Sequence, residues 1–333
     1  MKKELIGILR CPVSGQELSL DAANPSHSDD AEIEKGSLVT NDGQFSYPIR
    51  NGIPRFVPQS NYTEENFGMQ WNHFSKTQLD SYSGHPITAE RFWAATGWKE
   101  RDLNGKWLLD VGCGSGRFAE VALNAGAKVV ALDYSSAVDA CYANLKNHPN
   151  LHVIQGDIFA LPLKKSFFPF VYSLGVLQHT PNVKKAFEAL PPMVSLGGFI
   201  SVDYYKKSWT SILQFRYWLR PITKRLPPMK LFALLERLVP ILLPISRFLA
   251  KIPIIGKVLH RAVPVVNFEG MYPLNERQLY EWALLDTFDM LAPAYDNPQT
   301  PATVRRWLEE AGIKNIEILH AGHLVGRGSK EEK

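Results

Sequence analysis

The sequence predicts a doubly wound α/β fold, and a glycine-rich stretch near its centre carries that prediction. Residues 107–110 are predicted to end a buried strand, and glycines follow at positions 112, 114 and 116. From Arg117 onward the apolar residues recur at helical spacing. A strand, a tight turn and a helix form the corner at which such sheets bind nucleotide ligands, at the carboxyl ends of the strands.

The spacing of these glycines argues against a dinucleotide. A dinucleotide-binding fingerprint would place its third glycine at position 117, where this chain has Arg117. Instead an acid, Asp110, directly precedes the turn. A carboxylate there suits a ligand with an ammonium group better than one with a pyrophosphate, because opposite charges attract.

Three further predicted strands follow at the spacing of βαβ units. The second covers residues 128–133 and ends in Asp133, and the third covers residues 151–157 and ends in Asp157. The fourth begins at Phe170 and leads into a loop that contains His179. A carboxylate such as that of Asp133 can accept hydrogen bonds from two hydroxyl groups at once.

This ordered series resembles the motifs of the class I S-adenosylmethionine-dependent methyltransferases, over roughly residues 95–205 and 300–328. The resemblance implies a Rossmann-like sheet of seven strands and S-adenosylmethionine as the cofactor. It places Asp110 near the amino-acid end of the cofactor, Asp133 on the ribose and Asp157 beside the adenine amino group. The cofactor-binding residues that it implies are Asp110, Gly112, Gly114, Gly116, Asp133, Tyr134, Asp157, Ile158 and Leu174.

Composition limits the class of protein. A chain of 333 residues predicts a main domain with additions. Its three cysteines lie far apart, which favours neither a disulfide framework nor a four-cysteine metal site. No run of 18 apolar residues predicts a membrane-spanning helix, and Glu4 interrupts the only apolar run at the start, unlike a signal peptide. We therefore expect a cytoplasmic location, with the inner membrane face as a site of peripheral attachment.

Residues 1–60 form a distinct segment with a small α+β pattern. The strings Leu-Arg-Cys-Pro at 9–12 and Tyr-Pro-Ile-Arg-Asn-Gly-Ile-Pro at 47–54 resemble the small zinc-ribbon-type activators that partner tRNA and protein methyltransferases. Ser14 occupies the position of a second zinc cysteine, so we expect this segment to fold without zinc. A platform for a substrate or partner and a metal-free packing module are the two interpretations.

The segment at 61–104 is rich in aromatic residues, and the recurrence of Phe67, Trp71 and Phe74 predicts a helix with a core face. In the family that the chain resembles, helices at this point commonly fold over the cofactor. Four polar residues of the segment are therefore candidate pocket residues: Gln70, His73, Gln78 and Asp80.

The sheet domain is predicted at 105–205 and 300–328, with a last helix from Pro301 and a closing hairpin at 315–328. Residues 206–299 are then a mainly helical insertion after the fifth strand, at the carboxyl edge of the sheet. Insertions at this edge usually select the substrate.

Methyl transfer is a direct in-line displacement, in which a base can remove the proton of an attacking hydroxyl. The base that we favour is His179, because imidazole titrates near neutral pH and the loop after the fourth strand borders the methyl group in the family. Tyr204 and Tyr295 are further catalytic candidates, with Asp203, Tyr205 and Asp286 left open and Asp289 interpreted as structural. No metal is predicted, because no close cluster of histidines and acids occurs.

Positive charge is concentrated in the first part of the insertion. Residues 206–261 contain twelve Lys or Arg and one acid, which gives this segment +11 and the rest of the chain −7. Aromatic and aliphatic residues lie between these charges, a composition typical of interfacial membrane-binding helices. The alternatives are a solvated rim over an apolar packing face and, with less weight, a nucleic-acid surface.

Together these patterns predict O-methylation of a small-molecule, lipid-borne or glycan acceptor. A tRNA methyltransferase is the first alternative, although residues 173–176 are Ser-Leu-Gly-Val where an Asn-Pro-Pro-Tyr motif would be expected. A non-catalytic S-adenosylmethionine-binding protein is the second.

Overall fold

A small antiparallel sheet opens the chain. The computed structural model describes residues 1–21, 32–57, 67–208, 215–253, 255–256 and 260–331. A short 3-10 helix at Lys3–Ile8 precedes four strands that pair in chain order. These strands are β1 (Leu18–Leu20), β2 (Gly36–Thr40), β3 (Ser46–Arg50) and β4 (Ile53–Pro54).

Cys11 takes part in local hydrogen bonds of this small sheet. Its sulfur lies 3.2 Å from the hydroxyl oxygen of Tyr47 and accepts a hydrogen bond from the backbone N–H of Ser14 at 3.4 Å. In the described ranges no group of three or more His, Cys, Asp or Glu residues is placed to hold a metal ion. Folding without zinc stays a prediction.

From residue 67, where the description of the chain resumes, four short helices lead to the main sheet. The carboxylate of Asp80 accepts hydrogen bonds from the backbone N–H groups of Thr88 and Ala89, both at 2.8 Å, and so satisfies donors at the start of the longest helix. The four helices are α1 (Met69–His73), α2 (Asp80–Ser83), α3 (Ile87–Thr96) and α4 (Glu100–Leu103).

The main sheet has seven strands with helices on both faces. The parallel strands are buried along nearly their whole length, because both of their faces are covered. The strands are β5 (Trp107–Val111), β6 (Lys128–Asp133), β7 (Leu151–Gln155), β8 (Phe168–Ser173), β9 (Val194–Tyr204), β10 (Lys314–Ala321) and β11 (His323–Ser329). The helices between β5 and β9 are α5 (Arg117–Asn124), α6 (Ala137–Leu145) and α7 (Val183–Glu188).

The strand order is β10-β11-β9-β8-β5-β6-β7. Neighbours from β9 to β7 pair in parallel, whereas β11 pairs antiparallel with both β9 and β10. This topology confirms the predicted doubly wound, seven-stranded Rossmann-like sheet with a small α+β module before it.

The small sheet shares a hydrophobic core with the main sheet, since Leu5, Leu9 and Leu38 pack in one cluster with Val130 and Ile154. The contact continues at the edge strand β7. There Phe56 donates its backbone N–H to the carbonyl of Gln155 at 2.8 Å, and the guanidinium of Arg55 lies 2.5 Å from the carboxylate of Asp139. The described residues 1–21 and 32–57 therefore cover the β7 edge of the main sheet.

The insertion after β9 is helical, as predicted. Its elements are α8 (Phe215–Thr223), α9 (Pro228–Ala250), a 3-10 turn at His260–Ala262 and α10 (Glu276–Leu291). Helix α9 packs on α10 through Leu231, Leu235 and Phe288. The chain returns at α11 (Pro301–Glu310), where the side chain of Thr300 accepts the backbone N–H of Thr303 at 3.2 Å. Within the described residues, no helix is long and apolar enough to cross a bilayer.

Candidate active site

The glycine turn between β5 and α5 needs residues without side chains. Gly116 has a φ of +93°, and a Cβ atom there would lie 2.7 Å from Cδ1 of Leu145 and 2.9 Å from the sulfur of Cys141. The backbone N–H groups of Gly112 and Cys113 both donate to the carbonyl of Leu132, at 2.7 and 3.0 Å. Because α6 packs directly against the turn, a larger residue at position 116 would push the turn and helix apart.

Helix α1 lies across this turn. Gly114 has a φ of +53°, and a Cβ atom there would approach the indole ring of Trp71 to 3.3 Å. The side-chain amide of Asn72 donates to the carbonyl of Ser136, which follows β6, at 3.1 Å. The polar and aromatic segment before β5 thus covers the turn, where the sequence predicted a covering helix.

Three acids lie at the carboxyl ends of adjacent parallel strands. β5, β6 and β7 are neighbours in register, so Asp110, Asp133 and Asp157 fall on the same edge of the sheet. The carboxylate of Asp133 accepts hydrogen bonds from the N–H of Gly114 at 3.0 Å and from the N–H and hydroxyl of Ser135 at 2.9 and 2.8 Å. Burial raises the pKa of Asp133 above its ordinary value. This acid therefore links the glycine turn to the end of β6.

Asp110 is the most deeply buried of the three. Only 2% of its surface is exposed, and its Oδ2 atom has no hydrogen-bond partner in the part of the chain that the structure describes. Burial raises the pKa of Asp110 to about 7; the nearby Tyr172 hydroxyl opposes this rise and the Asp133 carboxylate adds to it. A buried carboxylate without a partner is costly unless a ligand compensates it.

The other residues assigned to the cofactor occupy different environments. Asp157 accepts the N–H of Phe159 at 2.8 Å and so caps a 3-10 turn at Ile158–Ala160. The carbonyl of Tyr134 accepts a hydrogen bond from the side chain of Gln155 at 3.0 Å. Leu174 is 3% exposed and packs in the hydrophobic core, so the structure brings its neighbour Gly175, rather than its side chain, toward the site.

Two arginines that the sequence analysis did not name as site residues, Arg91 and Arg117, lie beside Gly175. A Cβ atom at Gly175 would lie 3.7 Å from Nη2 of Arg117 and 3.9 Å from Nη2 of Arg91. Both guanidinium groups stack near the ring of Phe118, at 4.5 Å for Arg117 and 5.3 Å for Arg91. Burial and the neighbouring Arg91 lower the pKa of Arg117 to about 10. The only sequence signal was Arg117 in place of a third fingerprint glycine.

These groups fit S-adenosylmethionine, the cofactor implied by the resemblance. The buried Oδ2 atom of Asp110 suits the ammonium group, and Arg91 and Arg117 suit a carboxylate. Asp133 and Asp157 supply acceptors for hydroxyl and amino groups.

Helix α10 contributes two partly buried acids above the carboxyl ends of the strands. Asp286 accepts a hydrogen bond from Gln78 and Asp289 accepts one from Gln70, both at 3.2 Å. The hydroxyl of Tyr205 donates to the second carboxylate oxygen of Asp289 at 3.3 Å. Burial, reinforced by the adjacent Asp289, raises the pKa of Asp286 to about 7. Two of the four polar residues predicted for the pocket, Gln70 and Gln78, thus join this cluster.

The other two have structural contacts. Asp80 caps α3, and the ring of His73 packs 4.6 Å from that of Phe232 on α9. Asp203, at the end of β9, pairs with Arg91 at 2.8 Å and accepts the N–H of Gly175. This ion pair joins α3 to the carboxyl edge of the sheet.

His179 presents a free nitrogen to this region. Its Nδ1 atom lies 3.1 Å from the carbonyl oxygen of Tyr295. Because a carbonyl oxygen only accepts, Nδ1 carries the proton, and Nε2 is a proton acceptor in the neutral ring. Nε2 is buried and has no partner among the described residues. The ring lies between those of Phe67 and Tyr205, at 5.5 and 5.4 Å.

The two tyrosines predicted beside His179 are placed differently. Tyr204 is fully buried, with its ring 6.1 Å from that of Trp307 in the core on the opposite face of the sheet. The structure therefore does not bring Tyr204 to the site; Tyr205 lies there instead, because successive residues of a strand face opposite sides. Tyr295 contacts His179 through the backbone carbonyl oxygen of Tyr295, and Tyr295 is 44% exposed.

Replacement of Asp110 by Asn should change how stability depends on pH. The folded protein keeps a proton on Asp110 up to about pH 7, whereas the unfolded chain releases it near about pH 4. The stability that Asp110 contributes at low pH is therefore lost as the pH rises through this window. We measure the unfolding free energy of Asp110→Asn minus that of the wild type by denaturant unfolding. We expect this difference to increase by about 1–3 kcal/mol from pH 5 to pH 8.

The exposed acid Glu100, on α4, is a matched control for this measurement. Glu100→Gln should follow the wild type at both pH values. A difference between Asp110→Asn and the wild type that is the same at pH 5 and pH 8 would contradict the raised pKa.

Comparison with known proteins assigns two parts of the chain. Residues 109–202 match a family model described as a methyltransferase domain, and residues 2–52 match one described as Trm112p-like protein. The malonyl-[acyl-carrier protein] O-methyltransferase of Pectobacterium atrosepticum is 35% identical over 98 residues, which are 29% of this chain and 38% of that protein. The ubiquinone biosynthesis O-methyltransferase of Acinetobacter baumannii is 29% identical over 130 residues, 37% of this chain and 55% of that protein.

The chain thus spans about half or less of the length of these curated relatives. Among solved structures, a complex of the Haloferax volcanii Trm112 methyltransferase activator with a candidate methyltransferase aligns with a TM-score of 0.46 at 13% identity, over 81% of this chain and 99% of the other. The family match confirms the predicted resemblance and its cofactor. Residues 109–202 are an S-adenosylmethionine-dependent methyltransferase domain, and a Trm112p-like segment precedes them in the same chain.

Proposed function

We propose that this protein transfers a methyl group from S-adenosylmethionine to a hydroxyl oxygen of an amphiphilic acceptor. The position of His179 carries the proposal. Its Nε2 atom is buried and unpaired within the described residues, and its ring packs 5.4 Å from that of Tyr205, whose hydroxyl donates to Asp289 of α10. A proton acceptor at this point is what O-methylation of a weakly acidic hydroxyl requires.

In the proposed reaction, bound S-adenosylmethionine supplies an electrophilic methyl group. Asp110 and the two arginines hold the amino-acid end of the cofactor, and Asp133 holds its ribose. The carbonyl of Tyr295 fixes the proton of His179 on Nδ1, so that Nε2 takes the proton that the acceptor hydroxyl loses. Trp71 and α1 exclude water from the glycine turn.

The paired groups Tyr205 and Asp289 are suited to position the acceptor. The hydroxyl of Tyr205 donates to Asp289, which is held in turn by Gln70, so the pair has a defined orientation. Asp286 lies one helical turn away and faces the same side of α10. We include Asp289, interpreted as structural from sequence, among the positioning residues.

The nature of the acceptor is the finer part of the proposal. The two curated relatives are named as O-methyltransferases of malonyl-[acyl-carrier protein] and of ubiquinone biosynthesis. Their names support oxygen as the methylated atom. The helical insertion over the site supports a small-molecule, lipid-borne or glycan acceptor. In this proposal the enzyme is cytoplasmic and encounters the acceptor at the inner membrane face.

The function is tested by following tritium from methyl-labelled S-adenosylmethionine into cell fractions incubated with the purified protein. Alkali-stable label in the organic phase supports methylation of a hydroxyl to an ether. Label that alkali releases as volatile methanol would mark a methyl ester, and would replace the hydroxyl acceptor with a carboxylate. Label in the tRNA fraction would replace the proposal with the tRNA methyltransferase. Cofactor binding without transfer to any fraction would establish the non-catalytic alternative.

Loss of the base should slow the chemical step alone. We expect His179→Gln to lower kcat by about 10²–10⁴-fold, because a positioned general base contributes about that factor. The affinity for S-adenosylmethionine in calorimetry should stay unchanged. His320→Gln, an exposed histidine on β10, is the control and should keep wild-type turnover. Unaltered kcat in His179→Gln would remove His179 from the mechanism.

Loss of the ribose acid should weaken cofactor binding. We expect Asp133→Ala to reduce the affinity for S-adenosylmethionine by roughly 1.5–3 kcal/mol, the cost of a lost charged hydrogen bond. Asp133→Asn removes the charge and keeps one side-chain oxygen, which can accept from Gly114 or from Ser135 but not from both. Glu100→Ala should bind as the wild type does. Equal affinities of Asp133→Ala and the wild type would contradict the assignment.

A further inference from the structure

Helix α9 of the insertion has two apolar faces. One face carries Leu231, Leu235, Val239 and Leu243 and is buried against α10. The other is exposed and has an apolar residue at every third or fourth position, over about 21 Å of helix at 1.5 Å per residue. Its residues and exposed fractions are Leu234 44%, Leu238 36%, Ile241 60%, Ile245 45% and Phe248 70%.

This exposed stripe differs from the ordinary scatter of apolar surface residues. Single exposed apolar side chains are common, whereas a contiguous row marks an interaction site. Helix α8, which also packs on α10, carries Trp218 and Ile222 with 68% and 66% of their surfaces exposed. The helical insertion thus turns two apolar helix surfaces toward solvent.

The structure divides the positive charge of residues 206–261 into two groups. Arg216 and Arg220 are 7% and 8% exposed, so they belong to the interior. Arg220 donates to the carbonyl oxygens of Met290 and Pro293, and Arg247 pairs with Glu269 and Glu276. The +11 of residues 206–261 is therefore not all on one surface.

A basic surface remains after these residues are set aside. Lys257 lies outside the described residues. Lys251 lies 3.6 Å from Glu269, which offsets part of its charge. The one acid of this segment, Glu236, is exposed on α9. Within the described part of the segment the exposed basic residues are Lys206, Lys207, Lys224, Arg225, Lys230, Arg237, Lys251 and Arg261.

We propose that the exposed stripe of α9 binds the surface of an anionic lipid bilayer. An apolar row on a helix that also exposes Lys230 and Arg237 matches an interface in which acyl chains meet negative headgroups. A second copy of this chain is the competing occupant, since the spacing would also suit helix pairing. The charge opposes that occupant, because each copy would bring a surface that exposes Lys230 and Arg237 against a surface of the same sign.

The exposed stripe of α9 lies one helix layer from the candidate active site. Phe232 of α9 packs on Phe288 of α10 at 5.8 Å between ring centroids, and α10 presents Asp286 and Asp289 to the site. A bilayer on α9 would therefore bring lipid-borne acceptors close to His179. This consequence rests on the proposed function, whereas the binding itself does not.

Co-sedimentation of the full chain with vesicles tests whether the exposed stripe binds lipid. At physiological salt we expect the protein to pellet with vesicles of phosphatidylcholine and phosphatidylglycerol, and much less with phosphatidylcholine alone. Ile241→Ser combined with Phe248→Ser should lower the partition coefficient by about tenfold or more, because two exposed apolar anchors are lost. The control pair Leu196→Ser and Met271→Ser changes equally exposed apolar residues elsewhere, and should bind as the wild type does.

Other outcomes overturn the inference. Equal loss of binding in both pairs of variants would place the contact elsewhere. A wild type that stays in the supernatant, and is dimeric where the α9 variant is monomeric in sedimentation velocity, would assign the stripe to a second copy. Binding to vesicles without methyl transfer to any fraction would overturn the proposed function but leave membrane binding by the exposed stripe intact.

Discussion

The close contact between the glycine turn and its surroundings is the constraint on which the site depends. Gly116 meets α6, Gly114 meets Trp71, and the turn is tied to the end of β6 by the carbonyl of Leu132. Because Asp133 accepts the N–H of Gly114, the same carboxylate that is assigned to the ribose also shapes the turn. Backbone geometry and ligand recognition are therefore one feature here, and neither could change alone.

The site holds more buried charge than folding alone would favour. Asp110 and Asp286 have pKa values raised to about 7, and Arg117 has one lowered to about 10, in each case mainly by burial. Removal of a charge from water is costly, and active sites are where proteins commonly retain this cost. The Arg91–Asp203 pair offsets part of it and joins the covering helices to the sheet.

The insertion connects the site to the protein surface through a single layer. Helix α9 packs one apolar face on α10 and leaves the other exposed, while α10 turns its acids toward the carboxyl ends of the strands. At the opposite edge, the Trm112p-like segment covers β7 and shares the core of the main sheet. The two additions therefore lie on different sides of the methyltransferase domain: one packs over the carboxyl ends of the strands and the other covers an edge strand.

The sequence by itself determined the sheet, the glycine turn and the strand-end acids, because each leaves a local pattern: short runs of apolar residues, the spacing of glycines, and an acid where a strand ends. The tertiary structure decided what depends on register and on distant neighbours. Tyr205 and not Tyr204 faces His179, since strand parity sets the side of the sheet. Arg91 and Arg117 meet only because α3 folds over α5, and Arg216 and Arg220 leave the basic surface only because α8 packs on α10. Such placements are set by packing between elements far apart in the chain, which no local pattern records.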